Sequence, residues 1–346
     1  MKALIIGDPH FQIKNIITID LFIKVIYEKS LLLKPDFIVI LGDILHDHEK
    51  INTLSMNKAL IFIEKMRTIA HTYILVGNHD LISNTEFLSD SHWMNALKCW
   101  KNVTIIDTVQ KHKIDKFTFT FCPYVYPGRF LEALETLEDS LKTTLIFAHQ
   151  EFYGCSMLLG INSREGDVWS LDLPPVISGH IHTKQKFGNI YYPGIPFQHN
   201  FGDSSDNTIS LLTFQSDKTY RTEEIDLKLP KKISIETDIT EFLSNDFKID
   251  IGVNDIRLIL KGQFNEFQIA KKTKKFKDLN VFVKIIFSPS VLLNEPFVDT
   301  SFKNEKKNFK NILYDLILKT KNKNLYITYD LIVNKIETNS DDILFV

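Results

Sequence analysis

Seven residues that follow apolar runs have side chains that divalent cations take as ligands: Asp8, His10, Asp43, Asn78, His149, His180 and His182. They supply two carboxylates, one amide oxygen and four imidazoles, with no thiolate. That set suits Mn²⁺, Fe²⁺ or Zn²⁺ better than Ca²⁺ or Mg²⁺, which prefer oxygen shells. One carboxylate can bridge two ions about 3.5–4 Å apart, while the others complete each shell and leave room for water. Asp8 and His10 are two residues apart, as are His180 and His182, so each pair can project from one loop. Singly, each residue has a plainer role: Asp8 a turn former, Asp43 a helix cap, His149 a core histidine. The set outweighs these roles because Asp-x-His, Gly-Asp, Gly-Asn-His-Asp, a strand-end His and Gly-His-x-His occur in order, each after an apolar run. The stretch Tyr73-Ile74-Leu75-Val76-Gly77-Asn78-His79-Asp80 shows the pattern most fully. Gly77 lets the backbone turn at the strand end, and Asp80 could orient the imidazole beside it.

The elements that would position these residues follow from hydrophobic spacing. Strands are predicted at Lys2–Ile6, Phe37–Leu41 and Tyr73–Val76, with helices from about Thr18 to Leu33 and Thr53 to Ala70. This β-α-β-α-β opening predicts a parallel sheet with right-handed crossovers and its functional loops at the carboxyl ends of the strands. Further strands are expected at Val103–Ile106, Phe117–Phe121, Leu145–Ala148, Val176–Ser178, Phe187–Tyr192, Thr208–Phe214 and Thr222–Ile225, with helices at His92–Lys98 and Arg129–Leu141. The texture changes at Leu229-Pro230-Lys231-Lys232, which divides the chain into residues 1–229 and 230–346. The second part reads as a small α+β unit. Its strands are Ile256–Leu260 and Val281–Phe287, with a helix over Glu266–Phe276 and another carrying Phe309, Ile312, Leu313, Leu316 and Ile317 at helical spacing.

Composition is that of an ordinary globular protein, with 44% hydrophobic and 24% charged residues over 346 positions. No apolar run is long enough to span a bilayer, and Asp8 interrupts the short N-terminal one, so no membrane partner is expected. Three cysteines without ligand spacing point to a reducing, cytoplasmic compartment. The Ile-, Lys- and Asn-rich composition fits an AT-rich viral genome, which would make that the host cytoplasm. Residues 1–229 hold 22 Lys and Arg against 27 Asp and Glu, and the remainder 19 against 16, an arrangement suited to a metal site beside a polyanion grip. Lys271, Lys272, Lys274 and Lys275 are the candidate phosphate-binding residues, with a solvated helix face as the alternative.

With these motifs in view, residues 1–225 resemble the calcineurin-like metallophosphoesterase superfamily. The resemblance implies an α/β fold, a four-layer α/β/β/α double-sheet sandwich. It also implies one metal held by Asp8, His10, Asp43 and His182, a second by Asp43, Asn78, His149 and His180, and in-line attack of water on phosphorus. Within the superfamily the chain looks most like the SbcD-type nuclease subunit of double-strand-break repair complexes and the recombination endonuclease subunits of phages and large DNA viruses. His46 follows the bridging Asp43 by three residues, as in many of these nucleases, and the Asp-Arg-Gly of protein phosphatases is missing here. Tyr192-Pro193-Gly194-Ile195-Pro196 through Phe201-Gly202-Asp203 resembles the family loop after the last ligands, and the small second unit stands where the family carries a DNA-capping domain. The implied activity is a Mn²⁺-dependent DNA exo- or endonuclease in repair and recombination. The alternatives are hydrolysis of a small phosphoester and a non-catalytic scaffold. DNA is the expected partner. A homodimer is admitted, as is an SbcC-like SMC-type ATPase, although the family's ATPase-binding segment follows the capping domain and this chain stops at Val346. His79, His46 and Asp80 are the candidate catalytic residues, with His79 expected to protonate the leaving alkoxide or stabilise the transition state. His48, His71, His92, His112 and His199 are expected to be structural or surface residues.

Overall fold

A computed structural model describes residues 1–48, 50–157, 161–215 and 219–289, together with 313, 314, 316, 317, 325 and 329. It divides into two units, Met1–Ser290 and Val291–Val346. In the second unit the six described residues are helical, Ile317 and Tyr329 being buried. Phe309 and Ile312 of the expected helix lie outside the described residues.

The first unit opens as its hydrophobic spacing predicts: β1 (Lys2–Ile6), α1 (Ile16–Leu33), β2 (Phe37–Ile40), α2 (Thr53–Ile69), β3 (His71–Leu75) and β4 (Val103–Ile106). The chain then forms β5 (Gln110–Ile114), β6 (Phe117–Cys122), α3 (Phe130–Glu135), β7 (Leu145–His149), β8 (Val176–Gly179), β9 (Gln185–Phe187) and β10 (Ile190–Tyr192). It returns through β11 (Ile209–Phe214) and β12 (Tyr220–Ile225) to the starting sheet. The two six-stranded sheets have the orders β12-β11-β1-β2-β3-β4 and β5-β6-β7-β8-β10-β9.

Strand pleating assigns alternate residues to two cores. Leu4, Ile6, Ile38, Ile40 and Ile74 face α1 and α2, whereas Ala3, Ile5, Phe37, Val39 and Leu75 face the second sheet. Between the sheets Phe37, Phe117, Phe119, Phe121, Phe147 and Phe214 form an aromatic layer; the Phe121 and Phe147 rings stack at 5.2 Å. The reverse faces of β7 and β8 pack under α3 through Ile146, Ala148 and Val176. The result is the expected double-sheet sandwich with helices outside.

After β12 come β13 (Lys232–Asp238), α4 (Ile239–Leu243), β14 (Asp255–Gly262), α5 (Phe264–Ala270), α6 (Lys274–Leu279) and β15 (Lys284–Pro289). These build a three-stranded parallel sheet with its own core of Ile239, Phe242, Leu258, Leu260 and Phe276. Several elements depart from the spacing. The helix expected over Glu266–Phe276 is broken, because the Thr273 hydroxyl accepts from Phe276 N and caps a new helix. The one over Arg129–Leu141 ends at Glu135. The strand expected over Phe187–Tyr192 is a hairpin turning at Gly188, where φ is +55°. β5 and β13, rich in polar residues, carry too little apolar alternation to be read as strands.

Candidate metal centre

All seven candidate ligands lie at carboxyl ends of strands, Asp8 and His10 after β1, Asp43 after β2, Asn78 after β3, His149 ending β7, and His180 and His182 after β8. Backbone hydrogen bonds from His10 N to Asp43 O (2.9 Å) and Phe11 N to Ile44 O (2.7 Å) join the first two loops. The turns are tight. His10, Asp43 and His180 hold positive φ of 43°, 49° and 78°, a backbone region that side chains other than glycine rarely adopt. Gly77 is required by close approach: a Cβ there would strike the Asp43 carboxylate and backbone nitrogen.

Two clusters form, each with its ligand atoms within 4.8 Å of one another: Asp8, His10 and His182, and Asp43, His149 and His180. Asp43 reaches into both. Its Oδ2 lies 3.6 Å from His10 Nε2 and 3.4 Å from His149 Nε2. Asn78 Oδ1 faces His149 Nε2 at 3.1 Å and His180 Nδ1 at 2.9 Å. The donor chemistry fits divalent ions. His149 Nδ1 donates to the Leu41 carbonyl at 2.7 Å, which turns its Nε2 toward Asp43 Oδ2 and Asn78 Oδ1. These oxygens need a positive charge beside them, which a charged imidazole or a bound cation can supply. His10 and His182 meet Nε2 to Nε2 at 2.9 Å, and the buried Asp8 Oδ1 has no hydrogen-bond partner among the described residues.

The electrostatics make the same demand. Burial, followed by the Asp43 carboxylate, pushes Asp8 up to about 8 against the pull of His149. Burial opposes charge on His149, but Asp43 and Asp8 outweigh it and raise the imidazole to about 9. Burial raises Asp43, yet His149 and His10 hold it well below the usual carboxylate range. One carboxylate held charged by imidazoles, beside another whose Oδ2 accepts from His180 N at 2.7 Å while its Oδ1 stays unpaired, is a buried arrangement that cations relieve.

A sequence profile described as Calcineurin-like phosphoesterase matches residues 1–184. The chain belongs to that family. "Putative phosphoesterase 244L" of Invertebrate iridescent virus 6 is 47% identical over 281 residues, which cover 79% of this chain and 98% of that protein. "Putative phosphoesterase 078R" of Invertebrate iridescent virus 3 is 43% identical over 284 residues, 81% of each. The solved structure of an archaeal phosphodiesterase overlaps 65% of this chain and all of its own at 15% identity and a TM-score of 0.34, too low to carry an argument. This calcineurin-like phosphoesterase is thus a metal-binding hydrolase. No described helix is long and apolar enough to cross a membrane.

The three candidate catalytic residues separate in the phosphoesterase. His79 and His46 join His10 in a third cluster at the rim. The His79 ring stands edge-on to His10, with centroids 4.7 Å apart, and stacks between His46 and His48 at 5.5 and 4.3 Å. Asp80 does not hold that ring. Its oxygens accept from Trp93 Nε1 (2.8 Å) and Gly77 N (3.1 Å), and His79 Nδ1 donates to the His46 carbonyl instead. The 3₁₀ turn Asn78–Asp80 points consecutive side chains in different directions, which sends Asp80 inward to brace the loop.

Lys271 and Lys272 lie in the turn between α5 and α6, and Lys274 and Lys275 on α6. Lys275 Nζ donates to the Ser244 carbonyl and lies 5.0 Å over the Phe247 ring, while Lys271 lies 5.9 Å over Phe267. Lys272 and Lys274 are exposed. Among the described residues no hydrogen bond or ion pair joins any of the four to the metal clusters.

Two residues of the site are not marked by spacing. Glu151 Oε2 lies 3.7 Å from His180 Nε2, the ring nitrogen opposite Asn78, and Glu151 Oε1 accepts from Ser163 Oγ. Its place in His149-Gln150-Glu151 is the available signal. His199, expected to be structural or on the surface, is buried against His10 and His182. His71, His92 and His112 do have structural partners in Thr104, Asp107 and Gln110.

Proposed function

We propose that this phosphoesterase is a Mn²⁺-dependent DNA nuclease of repair or recombination. The carrying observation is the space beside His79. A cavity of about 860 Å³ opens there, lined by His46, Asp47, His48, Lys50, His79, Ile82, Ser83 and Asn84. It is a wide, open groove rather than an enclosed pocket, which suits an extended chain more than a small buried ligand. It exceeds what a phosphate group alone needs, and its imidazoles and the Lys50 ammonium, beside the Asp47 carboxylate and the apolar Ile82, suit a nucleotide on the leaving-group side. The viral relatives carrying phosphoesterase names agree with a phosphoester substrate and leave its nature open.

When bound, a pair of divalent ions would neutralise the phosphoryl oxygens and activate the attacking water. Asp43 would serve both ions, Asp8, His10 and His182 one of them, and Asn78, His149 and His180 the other. His79 stands at the rim with its Nδ1 committed to the His46 carbonyl. Its Nε2 is therefore the atom left to deliver a proton or positive charge to the departing oxygen. The third sheet, beyond Pro230, would cap the DNA.

The test incubates the protein and Mn²⁺ with labelled single- and double-stranded DNA, beside bis-nitrophenyl phosphate. Cleavage of DNA supports the reading. Turnover of the small ester with no DNA cleaved would make the protein a small-substrate phosphodiesterase. No turnover of either, with the protein folded, would leave a scaffold.

A further inference from the structure

We propose that His199 is a positioning residue for the metal site of Asp8, His10 and His182, and that its neighbour Gln198 anchors it to the third sheet. This rests on the metal-dependent reading of the centre.

His199 is 2% exposed and lies behind two ligands. Its ring stands edge-on to His10 at 5.2 Å and to His182 at 5.9 Å, with Phe197 closing the far side at 4.9 Å. Its Nε2 donates to the backbone carbonyl of Asp8 at 3.2 Å. One side chain therefore touches all three members of the cluster. It limits the ring rotations of His10 and His182, and it fixes the peptide that carries the Asp8 carboxylate. His10 needs such support, because its positive φ stores backbone strain that neighbours must hold. Partners one step removed from a metal commonly orient its ligands in this way.

The loop holding His199 is itself fixed. Asp203 Oδ2 accepts from the backbone nitrogens of His199 (2.8 Å) and Asn200 (2.7 Å), and Asn15 Nδ2 donates to the His199 carbonyl (3.2 Å). Gln198 faces the opposite way. Its Oε1 accepts from Lys232 N at 2.8 Å, and its Nε2 donates to Lys232 O at 3.3 Å and Asp203 O at 3.0 Å. Lys232 begins β13. Phe201, in the same loop, lies under the Arg257 guanidinium of β14 at 4.6 Å. Adjacent residues thus join the metal ligands on one side and the third sheet on the other.

Calorimetric Mn²⁺ titration of the full chain tests this without using activity. His182→Ala and His180→Ala, each lacking one ligand, identify which binding step belongs to which site. His199→Phe keeps the packing and loses the bond to Asp8. It should weaken the step marked by His182→Ala by about 10–100-fold and leave the other unchanged. His199→Gln, which retains a donor, should recover part of the loss, and Gln198→Ala should weaken the same step. Both steps unmoved in His199→Phe, both weakened equally, or loss of one whole equivalent would each overturn the positioning role, the last by making His199 a ligand. If His199→Phe does not fold, Gln198→Ala decides, and an unchanged step there overturns the proposal. A wild-type chain that takes up no divalent ion overturns the metal reading and this inference together. Two ions bound with unmoved variants overturns this inference alone.

Discussion

Asp43 carries more of the centre than any other side chain. One oxygen faces both histidine clusters, and the other accepts the His79 backbone N–H at 2.8 Å. Asp43→Asn is therefore expected to lose both ions at once, whereas His182→Ala should weaken one. Metal content per chain checks this, and two tightly held ions in Asp43→Asn would remove Asp43 from the bridge. His79 predicts a different phenotype. His79→Ala should keep both ions and lose about 10²–10⁴-fold in rate on a phosphodiester with an alkoxide leaving group. The loss should be smaller with nitrophenolate, which hardly needs a proton. Equal losses on both substrates would replace the acid role by electrostatic stabilisation.

The elements matter through their ends. The strands β1, β2, β3, β7 and β8 set the ligands at or just beyond their carboxyl ends, where backbone bonds between loops and close glycine contacts hold them. Gly77→Ala tests that rigidity. The added methyl meets Asp43 and cannot move without displacing the bridge, so metal affinity should fall sharply while the aromatic layer between the sheets persists. Near-ultraviolet dichroism, which reports aromatic packing, with a metal titration separates the two. Retained affinity would show that the loop yields. The break between α5 and α6 bears on DNA binding. With Lys275 spent on Ser244 and Lys271 lying over Phe267, Lys272 and Lys274 are the free candidates. Their neutralisation should lower the salt dependence of DNA affinity by about one unit of log–log slope for each phosphate left without its lysine. An unchanged slope would make α6 a solvated face.

At the scale of the molecule, the catalytic centre is buried polar structure that hydrophobic packing must support, and a second ionic cluster helps to hold the sheet edge near it. Asp107, just after β4, accepts from His92 Nε2 at 3.2 Å and from Lys98 Nζ at 2.5 Å. Burial raises Asp107, but these bonds and the Lys98 charge outweigh it and bring the carboxyl down to about 2. A carboxylate depressed in the folded state contributes stability above its unfolded pKa of about 4, and that contribution is lost as pH falls through about 2. Asp107→Asn should thus cost about 1–2 kcal/mol at neutral pH, after allowance for the half-exposed lysine, and should flatten the stability curve between about pH 4 and 2. Urea unfolding across pH checks it, and parallel curves for both proteins would refute it.

The sequence by itself determined which polar residues gather at the strand ends and the double-sheet sandwich that gathers them. Uniformly apolar strands such as Phe37–Ile40 must be buried on both faces, and polar clusters at their ends can only gather where the strands stop. The two metal clusters follow from that order. Spacing could not determine what lies behind the ligands. His199 and Glu151 stand far from their partners along the chain, and only the return of the Tyr192–Asp203 loop and the crossing of the second sheet bring them to His10 and His180. Asp80 shows the same limit. Adjacency in sequence sets it beside His79, but the 3₁₀ turn rotates the two side chains apart, and Trp93 takes the carboxylate. The choice among partners is made by tertiary packing, because a buried polar group bonds to whatever the fold sets within reach.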